Sequence, residues 1–239
     1  LKKELARLTI GLTLKLINNK MAKLQNAINL QSTFEDFKIQ NYVETGTGGI
    51  LDSYGQNSLL QVSRLKIENL KMHSIEILDR IYNEAVTYFK DNTNVLMHHG
   101  NSHDELPKVL DELDEKPTLF FLDAHFPDSY RDAYNREVIK DDPDYIKIPL
   151  EGELRIICQK RDVSNDIIVI DDIRIYQEGP YENGNFENKA LHGGDSLDFV
   201  YELLDETHVI VESYLQEGYL ICFPISVDQD KLRNYIVGA

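Results

Sequence analysis

The chain has 239 residues, 42% hydrophobic and 28% charged, which suits one well-buried core and excludes disordered or collagen-like composition. A formal net charge of −16 argues against a nucleic-acid partner, because phosphate binders concentrate Lys and Arg. Cys158 and Cys222 are too few and too far apart for a disulfide framework or a Cys-based metal site, no apolar run reaches membrane-span length, and no signal-peptide order opens the chain.

The expected address is therefore the cytoplasm, and a first residue that is Leu, not Met, suggests a piece of a longer polypeptide. Residues 1–30 carry Leu5, Leu8, Leu12, Leu14, Ile17, Met21, Leu24 and Ile28 at mostly helical spacing. They predict an N-terminal helical extension over 1–38, which packs on the rest of the chain or meets a second copy to form a homo-oligomer.

From residue 40 short apolar strands alternate with helices, the pattern of an open α/β sheet with helices on both faces. Tyr42-Val43 starts the first strand and runs into Glu44-Thr45-Gly46-Thr47-Gly48-Gly49, a glycine turn expected to open a helix through Leu59, Leu60, Val62 and Leu65. Without Cβ atoms, such a turn lets a ligand approach the backbone. The second strand, Met72 to Ile75, ends at Glu76, and a helix follows from Leu78 to Phe89. The third, Val95 to His98, ends in His99-Gly100-Asn101-Ser102, before a helix from Asp104 to Leu113. The fourth, Leu119 to Leu122, ends at Asp123, and the fifth, Ile167 to Ile170, ends at Asp171-Asp172, with a helix near Pro149 to Cys158 between them. After a helix over Asp195 to Leu204, His208–Val211 and Tyr219–Cys222 are joined by Gln216-Glu217-Gly218, a return tight enough to require antiparallel strands.

A Rossmann-like, seven-stranded, mostly parallel sheet with a C-terminal antiparallel hairpin resembles the class I S-adenosylmethionine-dependent methyltransferases, over about residues 40 to 225. Glu44 to Gly49 is similar to their first motif, and Ser74-Ile75-Glu76 to the acidic end of their second strand. The resemblance implies a catalytic domain over 39–239 and S-adenosylmethionine as cofactor. It implies contacts from Glu44, Thr45, Gly46, Thr47, Gly48 and Asp123, a ribose carboxylate in Glu76, and adenine contacts from Asn101 and Ser102. A carboxylate suits vicinal hydroxyls, and open sheets bind ligands beyond the strand ends. Glu76 also suits a helix start, and Asn101 and Ser102 suit a turn or cap.

Asp123 and Asp171-Asp172 most resemble the metal-dependent O-methyltransferases of the sugar-modifying macrocin and novobiocin type, and more distantly the catechol type. In those relatives acidic or amide side chains at these places hold a divalent cation, usually Mg²⁺. Three carboxylates at neighbouring strand ends repel unless neutralised, and a hard cation with oxygen ligands does so; a raised pKa, amide hydrogen bonds or a loop cap are the alternatives. Asp123 or His125 is the candidate base, and both stay open. The sequence Ala124-His125-Phe126 departs from the Asp-Tyr type of macrocin-like enzymes.

Two long connections flank this rim. The first, Pro127 to Ile148, holds Tyr130, Arg131, Tyr134, Arg136 and Tyr145; the second, Arg174 to Gly194, holds Tyr176, Tyr181, Asn183, Asn185, Asn188 and His192. Tyr, Asn and Arg suit a small hydroxyl-rich or anionic acceptor such as a sugar, nucleotide-sugar or surface-glycan precursor. A nicotinamide-dependent dehydrogenase and a non-catalytic module of the same fold are the competing readings.

Overall fold

Alternation within the middle strands decides the architecture. Leu119 and Phe121 point to one side of the fourth strand and Phe120 and Leu122 to the other, all at most 2% exposed. Strands buried on both faces need helices on both. The computed structural model describes residues 23–51, 56–125, 148–186 and 196–238.

Strands β1 (Asn41–Thr45), β2 (Lys71–Glu76), β3 (Val95–His99), β4 (Thr118–Leu122), β5 (Ile167–Asp171), β6 (His208–Ser213) and β7 (Tyr219–Pro224) form one sheet in the order β3-β2-β1-β4-β5-β7-β6. Neighbours from β3 to β5 are parallel, whereas β7 is antiparallel to both β5 and β6. Six strands thus run one way and β7 runs against them, the expected Rossmann-like order.

The described helices are α1 (Leu24–Ala27), α2 (Leu30–Asp36), α3 (Ser58–Val62), α4 (Asp79–Phe89), α5 (Ser102–Glu112), α6 (Leu150–Lys160), α7 (Asp198–Leu204) and α8 (Leu232–Tyr235). One apolar cluster joins Leu119, Phe121 and Val169 to Leu24, Ala27, Phe34, Leu59, Ala85 and Tyr235, so α1 to α4 and α8 cover one face. The other joins Phe120, Ile168 and Ile170 to Leu106, Val109, Leu154, Ile157, Val200 and Leu204, from α5, α6 and α7.

Two expected elements differ in detail. The expected lead-in helix is described only from Lys23 onward, where α1 ends at Ala27 and Ile28 forms a β-bridge to Ile236 before α2 begins. Leu24, Ala27, Ile28 and Phe34 have no exposed surface, so this part packs on its own chain. The glycine turn does not open a helix directly: α3 starts at Ser58, where the Asn57 side chain accepts the Leu60 amide at 3.1 Å and caps it.

At the amino ends of the strands the polar groups are staples. Arg161 grips Asp166 through Nε at 2.7 Å and a terminal nitrogen at 3.1 Å, and Asp166 also accepts the Thr118 amide at 2.8 Å. The cleft lies at the opposite ends of the strands.

Candidate active site

Register sets the cleft. Thr45 pairs with Ile75 and with Leu122, and Leu122 pairs with Ile170, so Gly46, Glu76, Asp123 and Asp171 all lie one residue past a common row. Gly46, Gly48, Glu76, Gly100, Asn101, Ser102, Asp123 and His125 line one cavity there, with Ile75, Ile77 and Ile81 as its apolar wall.

The two glycines of the turn do different work. Gly46 has φ +82°, and a Cβ on it would lie 2.6 Å from the carbonyl oxygen of Asp123. That closeness is fixed by backbone bonds: Gly46 donates to the Ile75 carbonyl and Asp123 to the Thr45 carbonyl, each at 3.0 Å. Gly48 has φ +64°, and a Cβ there would meet nothing within 4 Å. Its amide donates to Glu76 Oε2 at 3.2 Å, while Glu76 Oε1 accepts the Leu78 amide at 2.8 Å. Two amides orient the Glu76 carboxylate; burial nonetheless pushes its pKa up. Asn101 caps α5 by accepting the His103 amide at 3.0 Å.

Glu44, Thr45 and Thr47 stand behind the wall, not in it. Glu44 accepts the hydroxyls of Tyr42 and Ser74, Thr45 donates to Glu153 at 3.2 Å, and Thr47 and Ser74 hydrogen-bond at 2.6 Å. Burial raises the Glu44 pKa from 4.5 to about 8 against the opposing pull of those two hydroxyls. The folded state therefore holds a proton that the unfolded chain has released, so this stability is complete below pH 4.5 and is lost as pH rises through 8. Thermal unfolding followed from pH 5 to pH 9 should show Tm falling, with less fall in Glu44→Gln; the difference is at most on the order of 4 kcal/mol. Parallel pH profiles for the two proteins would refute this.

At the acidic corner the side chains of Asp123 and Asp171 lie against each other, and Oδ1 of Asp171 is buried without a hydrogen-bond donor. Burial, then the charge of Asp171, lifts Asp123 well above the carboxylate range; burial, then the charge of Asp172, lifts Asp171 to about 7. Asp172 is turned elsewhere, with Oδ1 at 2.9 Å from Arg174 Nε and Oδ2 at 3.2 Å from His125 Nε2. Burial would raise Asp172, but His125 and Arg174 outweigh it and bring it down. Burial would likewise lower His125, yet the Asp172 hydrogen bond and charge hold it above the usual imidazole value. The His125 Nδ1 lies 3.6 Å from Asp123.

The expected three-carboxylate corner is thus an Asp123–Asp171 pair with Asp172 facing two cationic side chains. Among the described residues no group of three or more His, Cys, Asp or Glu is arranged to hold a metal ion. The pair alone fits a hard cation in donor chemistry: two carboxylates, mutually repelling, with one oxygen orphaned.

Glu153 was not anticipated. It is 1% exposed on α6, takes the Thr45 hydroxyl, keeps Oε1 unpartnered, and has its pKa raised to about 7 by burial. The signal was present in the spacing, since Leu150, Glu153, Leu154 and Ile157 form one helical stripe with a charge among apolar residues. The acceptor-side expectations for Tyr130, Arg131, Tyr134, Arg136, Tyr145, Asn188 and His192 lie outside the described residues. Tyr176 and Tyr181 are buried at 5% and 6% exposure, away from a surface role.

No protein-family profile and no curated protein sequence matches the chain. Solved structures do. An S-adenosylhomocysteine-bound methyltransferase from Podospora anserina superposes with a TM-score of 0.51 at 16% identity, over 82% of this chain and 76% of that one. An O-methyltransferase from Bacillus cereus in complex with S-adenosylhomocysteine superposes with a TM-score of 0.52 at 12% identity, over 91% and 88%. The likeness establishes the class I S-adenosylmethionine-dependent methyltransferase fold.

Proposed function

We propose that this chain is an S-adenosylmethionine-dependent O-methyltransferase acting on a hydroxyl of a small polar acceptor, of the sugar, nucleotide-sugar or surface-glycan-precursor kind. The observation that carries the reading is the pairing of Gly48 with Glu76: a buried carboxylate, oriented by two amides, beside a glycine whose missing side chain leaves open space. That is a cradle for a ribose bearing two hydroxyls. The fold neighbours crystallised with S-adenosylhomocysteine support the same ligand. Residues 39–239 form the catalytic unit of a cytoplasmic enzyme in this reading, and 1–38 its extension and a surface for a second copy; no described helix is long and apolar enough to cross a membrane.

The methyl donor supplies a sulfonium, so the chemistry left to the protein is alignment and removal of one proton. Asp123 faces the cavity with a quarter of its side chain exposed, against 13% for His125. In its ionised form Asp123, whose raised pKa makes it the stronger base, takes the acceptor's hydroxyl proton; the oxygen forms its bond to the methyl carbon as the carbon–sulfur bond breaks, its electron pair leaving on sulfur. His125 orients Asp123 from the side. Asp123 and Asp171 would hold Mg²⁺ or a similar cation, which when bound lowers the pKa of the acceptor hydroxyl.

Isothermal titration with S-adenosylmethionine, S-adenosylhomocysteine and NAD tests the reading. Micromolar-range binding of the first two is expected, and binding of NAD alone would transfer the chain to the dehydrogenases. Glu76→Ala should weaken S-adenosylhomocysteine by roughly 1.5–3 kcal/mol, about 10- to 150-fold. An unchanged affinity would remove Glu76 from the site.

A further inference from the structure

Arg174 follows β5 by three residues, and its sequence position suggests a clamp for an anionic acceptor. Its nitrogens are committed within the protein instead. Nε donates to Asp172 Oδ1 at 2.9 Å, one terminal nitrogen donates to the carbonyls of Asn183 and Gly184 at 3.4 Å each, and the other lies 3.7 Å from Glu217 Oε1. Glu217 Oε1 also accepts from Asn183 Nδ2 at 2.8 Å. One guanidinium therefore joins the end of β5, the segment 176–186 and the turn between β6 and β7.

Beyond Asp172 the chain of contacts continues to the cleft. The Asp172 side chain is 2% exposed and spends one oxygen on Arg174 and the other on His125 Nε2, and His125 lines the cavity. A carboxylate buried this deeply is stable only while both oxygens are held, so losing one partner forces it to turn or to admit water. Its backbone stands at φ 50°, ψ 49°, a left-handed conformation that a non-glycine residue keeps only when its surroundings fix it.

We propose that Arg174 is a positioning residue: it fixes Asp172, and through Asp172 the imidazole of His125, so that the reaction rim depends on how the segment 176–186 is seated. The inference rests on the methyltransferase reading for the use to which His125 is put. A group that engages the segment 176–186 is thereby coupled to His125 through Arg174 and Asp172.

The test uses the full chain labelled with ¹⁵N-histidine, at one fixed pH, with the ring nitrogens of His125 assigned through His125→Asn and S-adenosylhomocysteine titrated in parallel. Arg174→Gln should move the His125 ring signals, leave those of His103 and His208 in place, and change S-adenosylhomocysteine affinity by less than about threefold. Glu217→Gln, which leaves the Arg174–Asp172 contact intact, should move them less, and Arg174→Lys serves if the glutamine variant does not fold. In turnover, Arg174→Gln should cost nothing further in a His125→Ala background. Unmoved His125 signals, or equal movement of all three histidines, would overturn the inference while leaving the methyltransferase reading standing. Failure of the unsubstituted chain to bind S-adenosylhomocysteine would overturn the reading instead.

Discussion

Asp123→Asn is expected to lower kcat by about 10²- to 10⁴-fold, the range typical of losing a general base, while S-adenosylhomocysteine affinity stays within about threefold. An asparagine keeps the shape of the side chain and can donate toward Asp171, whose Oδ1 is buried without a donor, while it removes the proton acceptor and one of the two carboxylates that would hold a cation. It also removes the repulsion between the two carboxylates, so the protein should be at least as stable as before. Turnover is measured with S-adenosylmethionine against a panel of methyl glycosides, nucleotide-sugars and catechol. A loss under tenfold, together with a larger one in His125→Ala, would move the base to the imidazole.

Much of this rim was legible in the sequence because strand ends are easy to find. Val43, Ile75, Leu122 and Ile170 are each followed closely by a polar or glycine residue, and parallel order brings those followers together without further information. Side-chain direction was less legible. Asp171 and Asp172 are adjacent, and neighbours along an extended chain point to opposite sides: one meets Asp123, and the other, at a left-handed backbone just past the strand, turns to His125 and Arg174. Arg174 read as a grip for an anionic acceptor because its partners, Asn183 and Glu217, come from separate parts of the chain. Glu44 read as a cofactor contact because it opens the glycine motif, but Tyr42 and Ser74 supply its hydrogen bonds from within the sheet.

The two turn glycines give the sharpest separation of fold from function. Both have positive φ, so an alanine at either position costs about 1–2 kcal/mol from the backbone alone. At Gly46 the new methyl also lies 2.6 Å from the Asp123 carbonyl oxygen, a backbone atom held by the Asp123 amide's bond to Thr45, so nothing nearby can yield cheaply. Gly46→Ala should therefore lose several kcal/mol in urea unfolding, on the scale of overpacking added to strain. Gly48→Ala meets open space and should lose only the backbone cost. The order reverses for the ligand. The Gly48 methyl projects where the cofactor is expected, so Gly48→Ala should stay folded yet bind S-adenosylhomocysteine at least tenfold more weakly, about 1.4 kcal/mol or more. Equal ligand affinity in Gly48→Ala and the unsubstituted chain would mean that the space beside Glu76 holds something other than the methyl donor, whatever the fate of Gly46→Ala.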